Sequence, residues 1–590
     1  MAADSASLVR ARWSRVAILV AAIAIAAITA FTAAPLFVSP QLEPDDYRFL
    51  DLVDQFRADR VGFMRAAIVE NGWDHLWWVD IAGAVRFFRP TMFASYWFDS
   101  WLHGGSALGL VCTNVVLMLA CSVLAAALFF RLLAPRTGAG VSPLREALPP
   151  VLAAALFAGF ACHAECMWYI AGRNETLAAL PFLGALALHA YARRTWVRLL
   201  APLCFALAMG SKEVAVALPL VAAGLDRALA PAGSTLRAQL RADRWLYTAY
   251  AAVAVVYFVF RQVAVEAAGG SAFIAPYLTH PLHADYWPHV ALQVRTYSEN
   301  LLLGGVTAPF LHAGIAHRWW VPGGLVVVGL AFAATVIVLR REPRFWALAA
   351  LALLTWLPAS VAYVSERYVL LPSFAVAGIA GLWLRSSSRI IAAVATVVVL
   401  VWTGHQTDLL QRKNAQISQR SGEALRFSEI LGPLRNRLPR GAHIVLLSFP
   451  GEVFFAQFAA NVLRRELQDL TLQCSVLTVM PDDPTLAGNA RAVRRGDHEL
   501  ELSATPALMA KPAWKFPWLQ LVAGASRASA SLPFAVEVLD GDGPSCRRLH
   551  VRFPAPLRDY VFVAFDPPPE PNSLPRGDLI RRGQLRVVKL

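Results

Sequence analysis

A chain of 590 residues that is 57% hydrophobic and only 16% charged, with a mean hydropathy of +0.49, is not a soluble globular protein, which would carry about a quarter charged residues. Its net charge of +14 does not mark a nucleic-acid binder, because the basic residues, mostly Arg, sit in short clusters between apolar runs and form no stripe with interleaved aromatics. The seven cysteines form neither a disulfide framework nor a zinc-spaced set; Cys112, Cys121, Cys162, Cys166 and Cys204 lie in or beside apolar runs, where cysteine is a small hydrophobe.

Arg10, Arg12 and Arg15 precede an apolar run of more than twenty residues, longer than the roughly 7–15 of a secretory signal, so it is read as an uncleaved first span. Counting it, eleven apolar runs are long enough to cross about 30 Å at 1.5 Å per residue: 14–38, 107–130, 148–168, 174–191, 197–210, 213–229, 245–264, 320–339, 345–363, 368–384 and 389–404. Residues 197–229 are split at Gly210-Ser211-Lys212-Glu213, because one helix would bury both charges mid-bilayer at about 2.5–3.5 kcal/mol each. The same reasoning splits 148–191 at Ala171-Gly172-Arg173-Asn174-Glu175. With the N-terminus inside, the inner connections hold the Arg clusters, among them Arg131, Arg136 and Arg145, then Arg340, Arg341 and Arg344, then Arg385 and Arg389. The short outer turns hold one basic residue each, Arg173, Lys212 and Arg367. This asymmetry predicts a multi-pass protein of a bacterial inner (cytoplasmic) membrane, surrounded by membrane lipids.

Two outer segments are long. Residues 39–106 contain WDHLWWVD and FFRPTMFASYWFDSW, which predict interfacial helices anchored by Trp and Tyr. Residues 265–318 hold His280, His283, His289, His312 and His317; Pro281 and Pro288 break any helical face that would align ligands, so a headgroup-level loop is expected rather than a metal site. Residues 1–404 thus form a transmembrane domain, and 405–590 a soluble extracytoplasmic one. The latter opens on a polar helical stretch and continues through seven short β-like runs, HIVLLSF, TLQCSVLTVM, HELELSA, FAVEVLD, RRLHVRF, YVFVAF and QLRVVKL. Their alternation predicts a β-rich or α+β fold. Its two cysteines, Cys474 and Cys546, would be able to pair in an oxidising compartment.

Once orientation is set, the unusual polar residues fall on the outer face. Asp45 and Asp46 open the first outer segment, and Arg89 precedes the second span. His163 and Glu165 lie near the outer end of the third span, followed by Arg173 and Glu175. Lys212 and Glu213 top the fifth and sixth spans, and Glu366-Arg367-Tyr368 sits between the ninth and tenth. Ionisable residues at a membrane edge are functional candidates. Any one of them also fits a structural ion pair; convergence on one face is what sets the group apart.

Four of these stretches, FRPTMFASYWFD, ALFAGFACHAECMWYIAGRNETLAAL, LAMGSKEVAVALPLVAAGLD and SERYVLLPS, resemble in the same order the signatures of the GT-C superfamily of polyprenyl-phosphate-sugar-dependent glycosyltransferases. The nearest branch is the transmembrane O-mannosyltransferase type that usually carries tetratricopeptide repeats. The resemblance covers roughly residues 40–375. It implies a GT-C-like polytopic α-helical fold and a catalytic acidic pair in the first outer loop, a place that Asp45-Asp46 in EPDDYRFL takes. Two departures stand out: Ala164 replaces the family's Pro after the His of its motif, and a β-like tail replaces the repeats.

The chemistry of the residues points the same way. The sequence has neither a G-x-x-x-x-G-K-[ST] loop nor a G-x-G-x-x-G before a helix, and no nucleotide pool exists outside the cytoplasmic membrane. A transferase there takes its activated group from a lipid, for which the resemblance implies a polyprenyl-phosphate sugar. Asp45 or Asp46 would accept the proton of an acceptor hydroxyl on a protein or glycan. Arg89, Arg173, Lys212 and Arg367 would hold the departing phosphate, with His163, Glu165, Glu213, Glu366 and Tyr368 in support. One carboxylate pair and scattered His do not decide whether a divalent metal takes part. A flippase for lipid-linked saccharides would commonly show repeated halves, and none is found. An idle assembly factor that kept the fold would have lost the acidic pair, and both aspartates are present.

Overall fold

The computed structural model describes residues 2–40, 42–72, 76–79, 84–134, 143–192, 194–231, 233–271, 278–304, 329–330, 333–386, 388–420, 438–449, 455–481, 490–510, 519–528, 534–566 and 584–588. The chain is a polytopic helical membrane protein with a sheet-rich C-terminal domain. Among the described residues five helices are long and apolar enough to span a bilayer, Arg15–Val38, Ala107–Leu132, Arg244–Ala267, Pro343–Val361 and Arg389–Ser418, and the bent pair Arg145–Gly159 and Ala161–Trp168 has the composition of either a broken span or a re-entrant loop.

Fifteen helices carry the architecture. They are α1 (Ala2–Val38), α2 (Pro44–Arg57), α3 (Pro90–His103), α4 (Ala107–Leu132), α5 (Pro143–Gly159), α6 (Ala164–Trp168), α7 (Asn174–Tyr191) and α8 (Ala201–Met209), then α9 (Leu218–Leu229), α10 (Arg244–Ala267), α11 (Tyr286–Leu303), α12 (Pro343–Trp356), α13 (Leu370–Trp383), α14 (Arg389–Arg420) and α15 (Ala459–Glu466). Several are too short to cross alone, and 3₁₀ turns extend them. Glu213–Ala217 leads into α9 and Glu366–Val369 into α13; at about 2.0 Å per 3₁₀ residue and 1.5 Å per α residue, each unit reaches about 28–29 Å.

The run at 148–168, expected as one straight helix, bends by 45° between α5 and the Ala161–Trp168 stretch. The amide of Ala161, freed from the helical ladder, donates to Gln406 Oε1 on α14 at 3.0 Å. A side chain inserted into the ladder is a sufficient cause of a kink. Gly159 permits the approach, since a Cβ there would lie 2.3 Å from Thr407 Oγ1. Helix α14 itself runs unbroken past residue 404 to Arg420. Of the run at 320–339, only 329–330 and 333–339 are described, and these are helical.

The first outer segment is α2, a hairpin of β1 (Ile68–Gly72) and β2 (Ala84–Phe88), and α3. Trp77 and Trp78, expected as membrane anchors, are instead fully buried among residues of the C-terminal domain. Trp77 Nε1 donates to the carbonyl of Leu477 at 2.7 Å. Phe63 and, on α3, Trp97, Phe98 and Trp101 are exposed aromatics of this segment. In the second outer segment the expected loop is partly helical. Tyr286 opens α11, which places Pro288 in its first turn, where a missing N–H costs nothing. His289 Nε2 lies 2.7 Å from the carbonyl of Ala362; His280 and His283 are exposed, and His312 and His317 lie outside the described residues.

The C-terminal domain holds two sheets. A mixed sheet of order β13-β12-β3-β4 pairs β3 (His443–Leu447) in parallel with both β4 (Gln473–Val476) and β12 (Tyr560–Asp566), with β13 (Gln584–Val588) antiparallel at the edge. Helix α15 lies on the crossover from β3 to β4. The antiparallel sheet contains β5 (Arg491–Arg494), β6 (Glu499–Ser503), β7 (Met509–Ala510), β8 (Leu521–Val522), β9 (Ser526–Arg527), β10 (Ala535–Gly543) and β11 (Ser545–Arg552). Each of the seven expected β-like runs is a strand. Cys474 on β4 and Cys546 on β11 belong to different sheets and are both free thiols, so the expected pairing is not made.

Candidate active site

The site begins at the N-terminus of α2. Glu43, extended at φ −84° and ψ 157°, caps the helix, Pro44 fills its first position, and two aspartates follow in the first turn, where the helix dipole favours negative charge. In a helix, successive residues lie only about 100° apart, and their environments differ. Asp46 is fully buried: Oδ2 accepts from the Glu43 amide at 2.8 Å and Oδ1 from the Ala171 amide at 2.7 Å. It ties α2 to the turn after α6, and burial pushes its carboxyl up to about 7. Asp45 accepts from the Tyr169 hydroxyl at 2.5 Å through Oδ2 and pairs with Arg48 at 2.8 Å through Oδ1. Arg48 in turn donates to the Glu70 carbonyl and to Asn71 Oδ1, each at 2.7 Å.

Over the Tyr169 ring stands a cation. The Arg367 guanidinium lies 5.0 Å from the Tyr169 ring centroid, 5.7 Å from Tyr363 and 5.4 Å from Tyr368. Lys212 Nζ sits 3.8 Å from the same Tyr368 ring. Three tyrosines thus wall two cations, each contact contributing about 0.5–2 kcal/mol. Glu165 accepts from the Arg367 amide at 3.3 Å and pairs with its side chain at 3.6 Å. Arg367 Nε is buried without an acceptor among the described residues. Lys212 pairs with Glu175, and Arg89 with Glu213 at 3.1 Å. Burial first, and then the positive fields of Arg367 and Arg89, hold the Lys212 ammonium well below the usual lysine range. Three cations, each paired with one carboxylate, are thus gathered here. Gly172 allows the close fit, because a Cβ there would stand 2.9 Å from both the Glu165 carbonyl oxygen and the Tyr169 ring.

Three candidates are held differently. Arg173 is fully buried and spends its guanidinium on Asp99 at 2.5 Å, Ser95, Asn114 Oδ1 and the Leu110 carbonyl; in this arrangement it staples α3, α4 and α7. His163 lies 2.9 Å from Ser373 Oγ, edge-on to Phe157 and Phe160. Glu366 takes Lys413 Nζ on both oxygens, at 2.9 and 2.8 Å.

Sequence reasoning missed Arg48, Tyr169, Tyr363 and Lys413. Arg48 was within reach as the i+3 partner of Asp45. Lys413 falls at helical spacing with Gln406, Leu410 and Asn414, all buried on one face of α14. Nothing local signals that the tyrosines converge. No group of three or more His, Cys, Asp or Glu able to hold a metal occurs among the described residues.

Neither a protein-family model nor any curated protein matches the sequence. Among solved structures, ArnT from Cupriavidus metallidurans bound to undecaprenyl phosphate overlays 77% of this chain and 85% of its own length at 11% identity and a TM-score of 0.43. The Archaeoglobus fulgidus oligosaccharyltransferase in complex with Zn and sulfate overlays 77% of this chain and 62% of its own at 10% identity, with a TM-score of 0.40. The arabinosyltransferase EmbB from Mycobacterium smegmatis overlays 90% and 61% at 13% identity, with a TM-score of 0.30. All three scores lie below 0.5, so these likenesses fix neither chemistry nor substrate for this chain.

Proposed function

We propose that this chain is a membrane glycosyltransferase that moves a sugar from a polyprenyl-phosphate donor to an acceptor hydroxyl outside the cytoplasm. The observation that carries the reading is that a carboxylate and a cation share Tyr169, with Asp45 at its hydroxyl and Arg367 over its ring. The acceptor oxygen attacks the anomeric carbon, the bond from that carbon to the phosphate oxygen breaks, and the polyprenyl phosphate leaves with the electron pair. Asp45 takes the acceptor proton. Arg367 and Lys212, with Arg89 beside them, offset the charge that grows on the leaving phosphate. Asp46, already committed to two backbone amides, holds the helix that carries Asp45.

The test is transfer from a polyprenyl-phosphate sugar by the full chain in membranes. Asp45→Asn keeps size and removes basicity, so turnover is expected to fall about 10²–10⁴-fold at unchanged expression. Near-normal turnover in this variant would overturn the assignment.

A further inference from the structure

The end of the helix bundle remote from Asp45 carries a recess of about 240 Å³. Helix α14 measures its distance from the site: Arg389 opens the helix and Lys413, which reaches Glu366, lies 24 residues further along, about 36 Å. The recess is lined by Arg145 and Arg389 and by the apolar Leu148, Pro149, Leu384 and Ala393, with no carboxylate among the lining residues. Both arginines lie in the first turn of long helices, α5 and α14, so two positive helix ends converge with two guanidiniums. Arg145 is fixed by donating to the Ser386 carbonyl at 2.7 Å. Arg389 is exposed and makes no hydrogen bond or ion pair with the described residues.

We propose that this recess binds an anionic phospholipid, its phosphate between Arg145 and Arg389 and an acyl chain along the apolar wall formed by Leu384, Ala393 and Leu148. Paired cations alone would suit any phosphate. Cations at the mouth of an apolar recess between spanning helices suit a phosphate that brings its own hydrocarbon. The site does not depend on the transfer reaction.

The experiment is native mass spectrometry of the full chain released from mixed micelles containing equal phosphatidylglycerol and phosphatidylcholine. The expected result is selective retention of phosphatidylglycerol, falling about fivefold in Arg389→Gln and about twenty-fivefold in Arg145→Gln/Arg389→Gln. Arg389→Gln alters an exposed side chain without hydrogen-bond or ion-pair partners among the described residues, so the fold is expected to be kept and the single variant decides. Unchanged retention in Arg389→Gln, equal retention of phosphatidylcholine, or complete displacement by inorganic phosphate would each overturn the proposal.

Discussion

Lys212 and Arg367 find their carboxylates in distant connections of the chain, not at the next residue. Lys212 pairs with Glu175, Arg367 with Glu165, Glu213 with Arg89 and Glu366 with Lys413. Each pair therefore links two segments distant in the chain. If Lys212 binds the donor phosphate, Lys212→Met loses a charge-assisted contact and kcat/KM should fall about 10- to 100-fold. The double variant Lys212→Met/Glu175→Met distinguishes the roles: it stays impaired if the ammonium meets phosphate, whereas recovered transfer would reduce Lys212 to a brace for Glu175. Asp46 makes a different prediction. Its carboxyl titrates near 7 in the folded chain against an ordinary value of 3.8. Between about pH 4 and 7 the unfolded chain has released this proton while the folded chain keeps it, so stability falls as pH rises through that window. Asp46→Asn carries no titrating group, and its thermal unfolding midpoint in detergent should lose this part of the slope between pH 5 and 7.5. An unchanged slope would show that Asp46 is ionised in the folded state.

At the scale of elements, α2 works on two faces. Asp45 turns toward Tyr169, while Tyr47, Asp51 and Asp54, at helical spacing, turn toward the C-terminal domain. Tyr47 donates to Glu466 at 2.9 Å, Asp51 accepts from Asn461 and Arg464 at 2.8 and 3.1 Å, and Arg465 pairs with Asp54 at 2.8 Å. All of these partners lie on α15, which packs on the element that carries the proposed base and adds to the contacts made by Trp77 and by Phe458. Asp51 is fully buried. Arg464→Ala should leave it uncompensated at a cost of about 3–5 kcal/mol, seen as earlier thermal unfolding and faster proteolysis between the domains, with Arg464→Lys recovering part of the loss. If Arg464→Ala matched the parent in both measurements, the contact would not hold the domains together. The helix at 44–57 carries a local start signal in E-P-D-D: a capping residue, proline at the first position and acids in the first turn.

For the whole molecule, the Arg clusters predict both termini: the N-terminus in the cytoplasm and the C-terminal domain outside. A reporter active only in the cytoplasm, fused after Leu590, should be silent; strong activity would place the proposed site on the wrong side for a lipid-linked donor. Most apolar runs emerged as helices near their expected places, and all seven β-like runs became strands, because span length and strand alternation are set by neighbours in sequence. By itself, then, the sequence determined the membrane class, the helix and strand segments and the clustering of charged residues at the turns. Only the tertiary structure decided which turns meet. It joined Tyr169, Tyr363 and Tyr368 around Arg367, crossed the four ion pairs, drew Trp77 and Trp78 from the membrane surface into the C-terminal domain, and separated Asp45 from Asp46 by burying one and leaving the other at the tyrosines. Those outcomes depend on packing between segments as far apart as residues 45 and 169 or 366 and 413. Ion pairing acts over a few ångströms of space, and spacing along the chain carries no record of that distance.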